Sequence, residues 1–199
     1  MKYITMLLMT LLHLPVSGQQ CDLLNRKSQI KKCMKPIYSI TAFEQIADSL
    51  QMTIDELSDY PVMFPIKKVK RISSEFGMRK HPCYKRRSFH RGIDIPQVKG
   101  TPVYATGNGI VISRGYNSGY GYYIEIQHAG GFRSFYAHLS WILVNVEDLV
   151  SITQQIACVG STGIVTGSHL HYEVRKGRRY LNPTGWCYVL FNHLNDDFL

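Results

Sequence analysis

The chain has 199 residues, 45% of them hydrophobic, and carries 23 lysines and arginines against 14 acidic residues, a formal charge of +9. That length falls in the one-to-two-domain range and is enough for one sizeable core. The basic balance suits anionic polymers, but specific nucleic-acid recognition is set aside, because no interleaved aromatic–basic motif accompanies the basic runs.

Met1-Lys2, an apolar run from Ile4 to Leu14, and then Pro15-Val16-Ser17-Gly18 read as a secretory signal over residues 1–18. The run falls short of the roughly 20 apolar residues of a permanent membrane helix, so no transmembrane segment is expected after cleavage. Gln20 precedes Cys21 where a lipoprotein signal places a small residue. The chain therefore reads as exported, periplasmic or extracellular and cell-wall associated, without a lipid anchor. Export permits disulfides among Cys21, Cys33, Cys83, Cys158 and Cys187; the odd number leaves at least one unpaired, and Cys21 with Cys33 is the simplest pair.

Residues 19–60 read as a helical segment. Thr41-Ala42-Phe43-Glu44 and Thr53-Ile54-Asp55-Glu56 are capping-box patterns, each opening an apolar-periodic run. The pair faintly resembles the helices of a LysM carbohydrate-binding module, but its flanking strands are missing and a plain helical hairpin fits better. Such a segment suits a docking module, a lid or a removable pro-segment. Pro61 and Pro65 mark a boundary, after which residues 61–187 read as one domain of short strands, with residues 188–199 as a tail. Thr106-Gly107-Asn108-Gly109 turns into Ile110-Val111-Ile112; Tyr122 to Gln127 alternates; Gly130-Gly131 leads into Phe132 to Leu139; and Ile156 to Val159 precedes Gly160-Ser161-Thr162-Gly163. Close turns between short strands imply a mainly β, antiparallel architecture. The basic runs Lys67-Lys68-Val69-Lys70-Arg71, Lys85-Arg86-Arg87 and Arg178-Arg179 suit anionic wall polymers or a solvated surface equally.

Chemistry concentrates in three segments. His169-Leu170-His171 places two imidazoles on one strand face, with Leu170, Tyr172 and Val174 on the other. His90 and Asp94 share strand parity, yet four extended steps separate them by roughly 13 Å, too far for one metal ion. Gly92 between them can bend the strand and bring them together. His138 lies in Phe135-Tyr136-Ala137-His138-Leu139, where Phe135, Ala137 and Leu139 are expected on the apolar face and Tyr136 and His138 opposite. Imidazole and carboxylate are natural zinc ligands, and the coincidence of three such segments is more telling than any one.

The stretches Arg71 to Arg79, Phe89-His90-Arg91-Gly92-Ile93-Asp94, Gly100 to Ala105, Tyr136-Ala137-His138-Leu139-Ser140, Gly160 to Gly163 and Gly167 to Arg175 together resemble the M23 (LytM/lysostaphin-type) zinc metallopeptidases, in order from about Pro65 to Pro183. The resemblance implies a LytM-like two-layer or half-open barrel sheet with a groove. It implies one zinc ion per chain held by His90, Asp94 and His171, with His138 and His169 as catalytic histidines. It also implies peptidoglycan peptides as substrate, cut at cross-links or stems by a secreted endopeptidase. A non-enzymatic wall-binding or scaffold component of an envelope-spanning secretion or conjugation machine is the competing reading. Glu173, same-faced with His171, is a candidate to support it from behind. Where such relatives carry glycines, this chain has Glu147, Thr153 and Ala157, so rebuilt turns and an altered groove wall are expected.

Overall fold

The computed structural model describes residues 18–80 and 85–196; of the expected signal, only Gly18 falls among them. The chain starts with α1 (Gly18–Met34), α2 (Ile40–Ser49) and α3 (Ile54–Leu57). Cys21 and Cys33 both lie on α1, and twelve residues at about 1.5 Å each put them roughly 18 Å apart, beyond the reach of a disulfide. The expected pair is therefore corrected: Cys33 is a free thiol, as are Cys158 and Cys187. At α3 the capping box forms as expected, Thr53 and Glu56 each bonding the other's backbone N–H. At α2 the cap is Ser39, whose hydroxyl accepts from the Ala42 N–H, and Thr41 falls inside the first turn. Serine caps at least as well as threonine, and starting there brings Ile40 onto the core.

Eleven strands follow: β1 (Gly77–Lys80), β2 (Arg87–His90), β3 (Ile93–Pro96), β4 (Pro102–Tyr104), β5 (Gly109–Asn117), β6 (Gly121–Gln127), β7 (Phe132–Ile142), β8 (Leu149–Val150), β9 (Gln155–Val159), β10 (His169–Lys176) and β11 (Arg179–Leu181). Short helices α4 (Pro183–Trp186) and α5 (Val189–Asp196) close the described chain. The main sheet runs β11-β10-β7-β6-β5-β8, with β3 also on β10 and a β4–β9 pair on β7; β1 and β2 form a separate hairpin. All pairings are antiparallel, as the spacing of turns implies. No helix among the described residues is long and apolar enough to cross a membrane.

The helices share the sheet's core. Phe43 of α2 and Tyr60 pack edge-on at 5.1 Å; Phe132 of β7 and Trp186 of α4 complete the cluster at 4.9–5.7 Å. All four are buried, each contributing about 1.5–3 kcal/mol by area, with a further ~0.5–1.5 for each edge contact. Lys176 of β10 reaches across to donate to the Met34 carbonyl at the end of α1, its ammonium over the faces of Phe132 and Tyr38. Two of the three glycine replacements keep the glycine-like backbone: Glu147 has φ of 74° and Thr153 of 67°. Ala157 sits in β9, fully buried and paired with Val103 and Ile142. These two turns thus hold left-handed residues, one of them β-branched, and none of the three positions lines the groove described below. Thr153→Gly should stabilise the protein by on the order of 1 kcal/mol in urea unfolding, and an unchanged or lower midpoint would contradict the strain.

His128 belongs to this framework. Its Nδ1–H donates to the Asn108 carbonyl at 2.7 Å, and Nε2 accepts from the Ser134 hydroxyl at 2.7 Å. Burial pushes its pKa down to about 4. The unfolded chain, with its histidine near 6.5, takes up the proton first, so this group's contribution is complete above about pH 6.5 and fades as pH falls towards 4. The loss amounts to on the order of 3 kcal/mol. His128→Gln should flatten the pH dependence of unfolding free energy between pH 6.5 and 4; an unaltered slope would show that His128 is not its source.

Candidate metal centre and active site

The β10 strand gathers the site. Its register places His171 opposite Asp94 of β3 on one side and opposite Ala137 of β7 on the other. His90, at the end of β2, joins them because the chain breaks between β2 and β3 at Arg91-Gly92. Glycine is needed there for closeness more than for a bend. A Cβ on Gly92 would lie 2.2 Å from the Tyr172 carbonyl oxygen of β10 and 2.8 Å from Glu173. Only a residue without a side chain lets this segment sit against β10.

His90, Asp94 and His171 offer three buried donor atoms within 4.8 Å of one another. Asp94 Oδ1 lies 3.1 Å from His90 Nε2 and 2.8 Å from His171 Nδ1, and those two nitrogens are 3.1 Å apart. Each imidazole has its far nitrogen occupied. His90 Nδ1–H donates to the Glu75 carbonyl at 2.8 Å, and His171 Nε2–H to Glu173 Oε1 at 2.9 Å. His90 Nε2 and His171 Nδ1 therefore both face the carboxylate, and on loss of their protons they offer the donor set and the orientation that a divalent cation requires. Burial works against the charge on Asp94, but hydrogen bonds and charge from His171 and His90 hold its carboxyl well below the usual range. Burial likewise opposes a charged His171, and Asp94 and Glu173 outweigh it, raising the pKa to about 9. A buried imidazole between two carboxylates draws positive charge, and these residues fit a metal.

His138 and His169 stand beside this cluster, their rings 4.7 Å apart and His138 5.8 Å from His171. Both are oriented by backbone: His138 Nδ1–H donates to the Thr162 carbonyl at 2.8 Å, His169 Nδ1–H to that of Gly167 at 2.9 Å. His169 Nε2 then lies 3.6 Å from Asp94 Oδ1. Burial, with His171 and His169 next to it, pushes His138 down to about 4.

The expected face assignment on β7 needs correcting. Phe135 and Ala137 pair with Glu173 and His171 on the site face, while Tyr136 pairs with Tyr172 in the core and bonds Thr106. Strict alternation would send His138 into the core after Tyr136. A left-handed backbone at His138, φ of 60°, breaks the alternation and swings the ring to the site. Such strain in a non-glycine residue recurs where function fixes a side chain. Thr162 is held by the Gly160-Ser161-Thr162-Gly163 turn, packed so closely on the β5–β6 turn that a Cβ on Gly163 would lie 2.4 Å from the Gly121 nitrogen.

Sequence reasoning missed two contributors. Tyr120, in the β5–β6 turn, donates from its hydroxyl to Glu173 at 3.0 Å and accepts the His138 N–H at its carbonyl. Arg79 of β1 reaches Asp94 Oδ2. Neither stands in a spacing that singles it out, though Arg79 ends the first of the stretches quoted for the resemblance. Around the cluster runs an open groove of about 780 Å³, bounded by the β1–β2 hairpin, the β5–β6 turn and residues 164–166. None of its lining comes from residues 18–60, so the helices do not cover it. Gly92→Val should force β3 and β10 apart and strip the protein of divalent metal on dialysis, with no ligand altered; full metal content in the variant would refute the close-packing argument.

Among proteins of known character, the Peptidase family M23 profile matches residues 88–183. The chain is 44% identical over 113 residues to the DD-carboxypeptidase/endopeptidase Mpg of Neisseria meningitidis serogroup B, covering 57% of this chain and 26% of that protein. It is 40% identical to a zinc-containing peptidase from Vibrio cholerae, with a TM-score of 0.56 over 60% of this chain and 37% of that one. The catalytic domain of the prophage-encoded M23 protein EnpA from Enterococcus faecalis is 32% identical with a TM-score of 0.54, and the match covers 61% of this chain and 95% of the domain. The chain spans about a quarter to a third of the length of the curated relatives it matches. With the site geometry and the near-complete coverage of the EnpA domain in agreement, the chain belongs to peptidase family M23.

Proposed function

We propose that this protein is an exported, zinc-dependent endopeptidase that hydrolyses peptide cross-links or stem peptides of bacterial peptidoglycan. The observation that carries the reading is the convergence of His90 Nε2, Asp94 Oδ1 and His171 Nδ1 beside two further histidines in an open groove. The names of the Neisseria and Vibrio relatives, a DD-carboxypeptidase/endopeptidase and a zinc-containing peptidase, point the same way. So does ShyA of Vibrio cholerae, a peptidoglycan DD-endopeptidase 40% identical over 133 residues.

His90, Asp94 and His171 would hold one zinc ion. Zinc held by three protein donors supplies Lewis-acid activation of a water and of the scissile carbonyl. The remaining chemistry falls to the chain. With Nδ1–H tied to backbone carbonyls, His138 and His169 both present a basic Nε2 to the groove. One takes the attacking water's proton at Nε2 and returns it to the leaving amine; the other, once protonated at Nε2, donates that N–H to the carbonyl oxygen as its negative charge develops. The water oxygen bonds to the carbonyl carbon, the C–N bond breaks, and the new amino terminus carries the proton away. Glu173 fixes the His171 ring through Nε2. Residues 1–18 as an export signal would deliver the enzyme to its polymer, and the formal charge, +9 less Lys2 of the signal, or +8, would favour anionic wall material at low salt.

The scaffold reading predicts that the histidines are dispensable. Zinc-loaded protein should release new amino termini from purified sacculi, and His169→Ala should lower that rate by about 10²–10⁴-fold while keeping its zinc. Absence of hydrolysis on any wall type by zinc-loaded protein would overturn the enzymatic reading.

A further inference from the structure

The groove contains a cation that the proposed chemistry does not use. Arg79 lies on β1, opposite Ser88 in the hairpin that forms one groove wall. That hairpin is anchored next to the metal cluster: Asp94 donates its N–H to the Ser74 carbonyl and accepts from the Ser73 N–H, while Phe76 and Phe89 pack edge-on at 5.1 Å. The guanidinium thus stands beside Asp94, on the side away from the imidazoles. Asp94 Oδ1 serves His90 and His171, and Oδ2 meets Arg79 Nη2 at 3.4 Å. This is long for a charge-assisted bond, which closes to about 2.7–2.9 Å when made in earnest. Arg79 Nε is moreover the buried side-chain nitrogen that has no hydrogen-bond partner among the described residues. A guanidinium carries five N–H donors in a planar fork suited to a carboxylate; Nε is shut away from solvent, so the donors left for the groove belong to the Nη end of a side chain 24% exposed.

The surroundings share one sign. Among the described residues lining the groove, Arg79, Lys80 and Arg91 are cationic, and Asp94 is the acidic one. Arg91 is engaged by Tyr120 and by the face of Tyr180. A cation bound at His90, Asp94 and His171 would consume the charge of Asp94, leaving a groove wall that favours an anion beside that cluster.

We infer that Arg79 is a specificity-determining residue that grips a free carboxylate on the carbon bearing the leaving amine of the substrate. The inference rests on the endopeptidase reading and narrows it. Bonds from D-alanine to a diamino acid, or to a terminal D-alanine, present such a carboxylate; an internal glycine bridge has none. The carboxylate is the shared chemistry, and two substrate pairs separate its sources: a stem peptide ending in D-Ala-D-Ala as free acid or amide, and a cross-linked muropeptide whose diamino-acid carboxylate is free or amidated.

With zinc-loaded full-length protein, kcat/KM should favour the free acid over the amide by about tenfold or more in at least one pair, and pentaglycine should be the poorest substrate. Arg79→Gln should bring the ratio near one, and Arg79→Lys, a point charge without the fork, should leave it intermediate. Calorimetric binding of the same peptides to the zinc-loaded His169→Ala variant gives the reading without turnover, so a protein that binds free acids selectively but cuts nothing would refute the hydrolase while upholding the grip. A wild-type ratio near one in both pairs overturns the inference with no variant needed. Equal losses on acid and amide in Arg79→Gln, with zinc released, would overturn it too, by showing that the side chain acts only through Asp94.

Discussion

The site depends on β10 being shared. A single strand carries His169, His171 and Glu173, and its antiparallel partners deliver Asp94 from β3 and the run towards His138 from β7. Antiparallel register leaves no tolerance, because a slip of one residue turns every side chain to the opposite face. Such a slip would bring Leu170 or Tyr172, both fully buried, to the site and send the imidazoles into the core. The apolar face of β10 is thus what holds the polar face in place. Burial of Leu170, Tyr172 and Val174, at about 1.5–3 kcal/mol each, gives the register its selectivity.

Behind His171 lies a buried charge network that the same ladder makes possible. Glu173 is fully buried, accepting from His171 and Tyr120 through Oε1 and from Arg175 through Oε2. Arg175 continues to Glu125, which also accepts from Arg133. A carboxylate in such a position would be costly alone, and burial does push its pKa up; His171 and Arg175 more than offset this and lower it. The network therefore fixes the ring plane and tautomer of His171 from its far nitrogen, independent of what its near nitrogen binds.

Some of this was legible in the sequence, for physical reasons. The period-two parity of His169 and His171 against Leu170, Tyr172 and Val174 survives in the structure because β10 is regular along its whole length. The Thr53–Glu56 capping box is local and forms as read. Gly92 was correctly singled out, but for flexibility, whereas its cause is a neighbour distant in sequence, the Tyr172 carbonyl. Parity misled at β7, since periodicity assumes an unbroken strand and His138 has a positive φ. The Cys21–Cys33 pairing fails because closeness in sequence is not proximity along a helix, which holds such residues apart. Tyr120 and His128 stand in no pattern, and Arg79 only ends a stretch of the resemblance that assigns it no role; their partners Glu173, Ser134 and Asp94 are set by tertiary packing.

Stability and selectivity are distributed over different parts of the chain. The helices α1 to α3 share an aromatic core with β7 and α4 and contribute nothing to the groove lining, so they act as a buttress beneath the sheet. The β1–β2 hairpin is outside the main sheet, tied to it through the Ser73 and Ser74 backbone at Asp94. Apart from His90, which ends β2 and joins the cluster, the hairpin's side chains stand outside the β3–β10–β7 ladder that carries Asp94 and His171. A wall of this kind can change its charge and its fork of donors while the chemistry stays fixed, which is the arrangement expected where one hydrolytic centre serves peptides of differing composition. Arg79 belongs to that wall and touches the cluster through Asp94, so it is there that the proposed recognition would meet the proposed reaction.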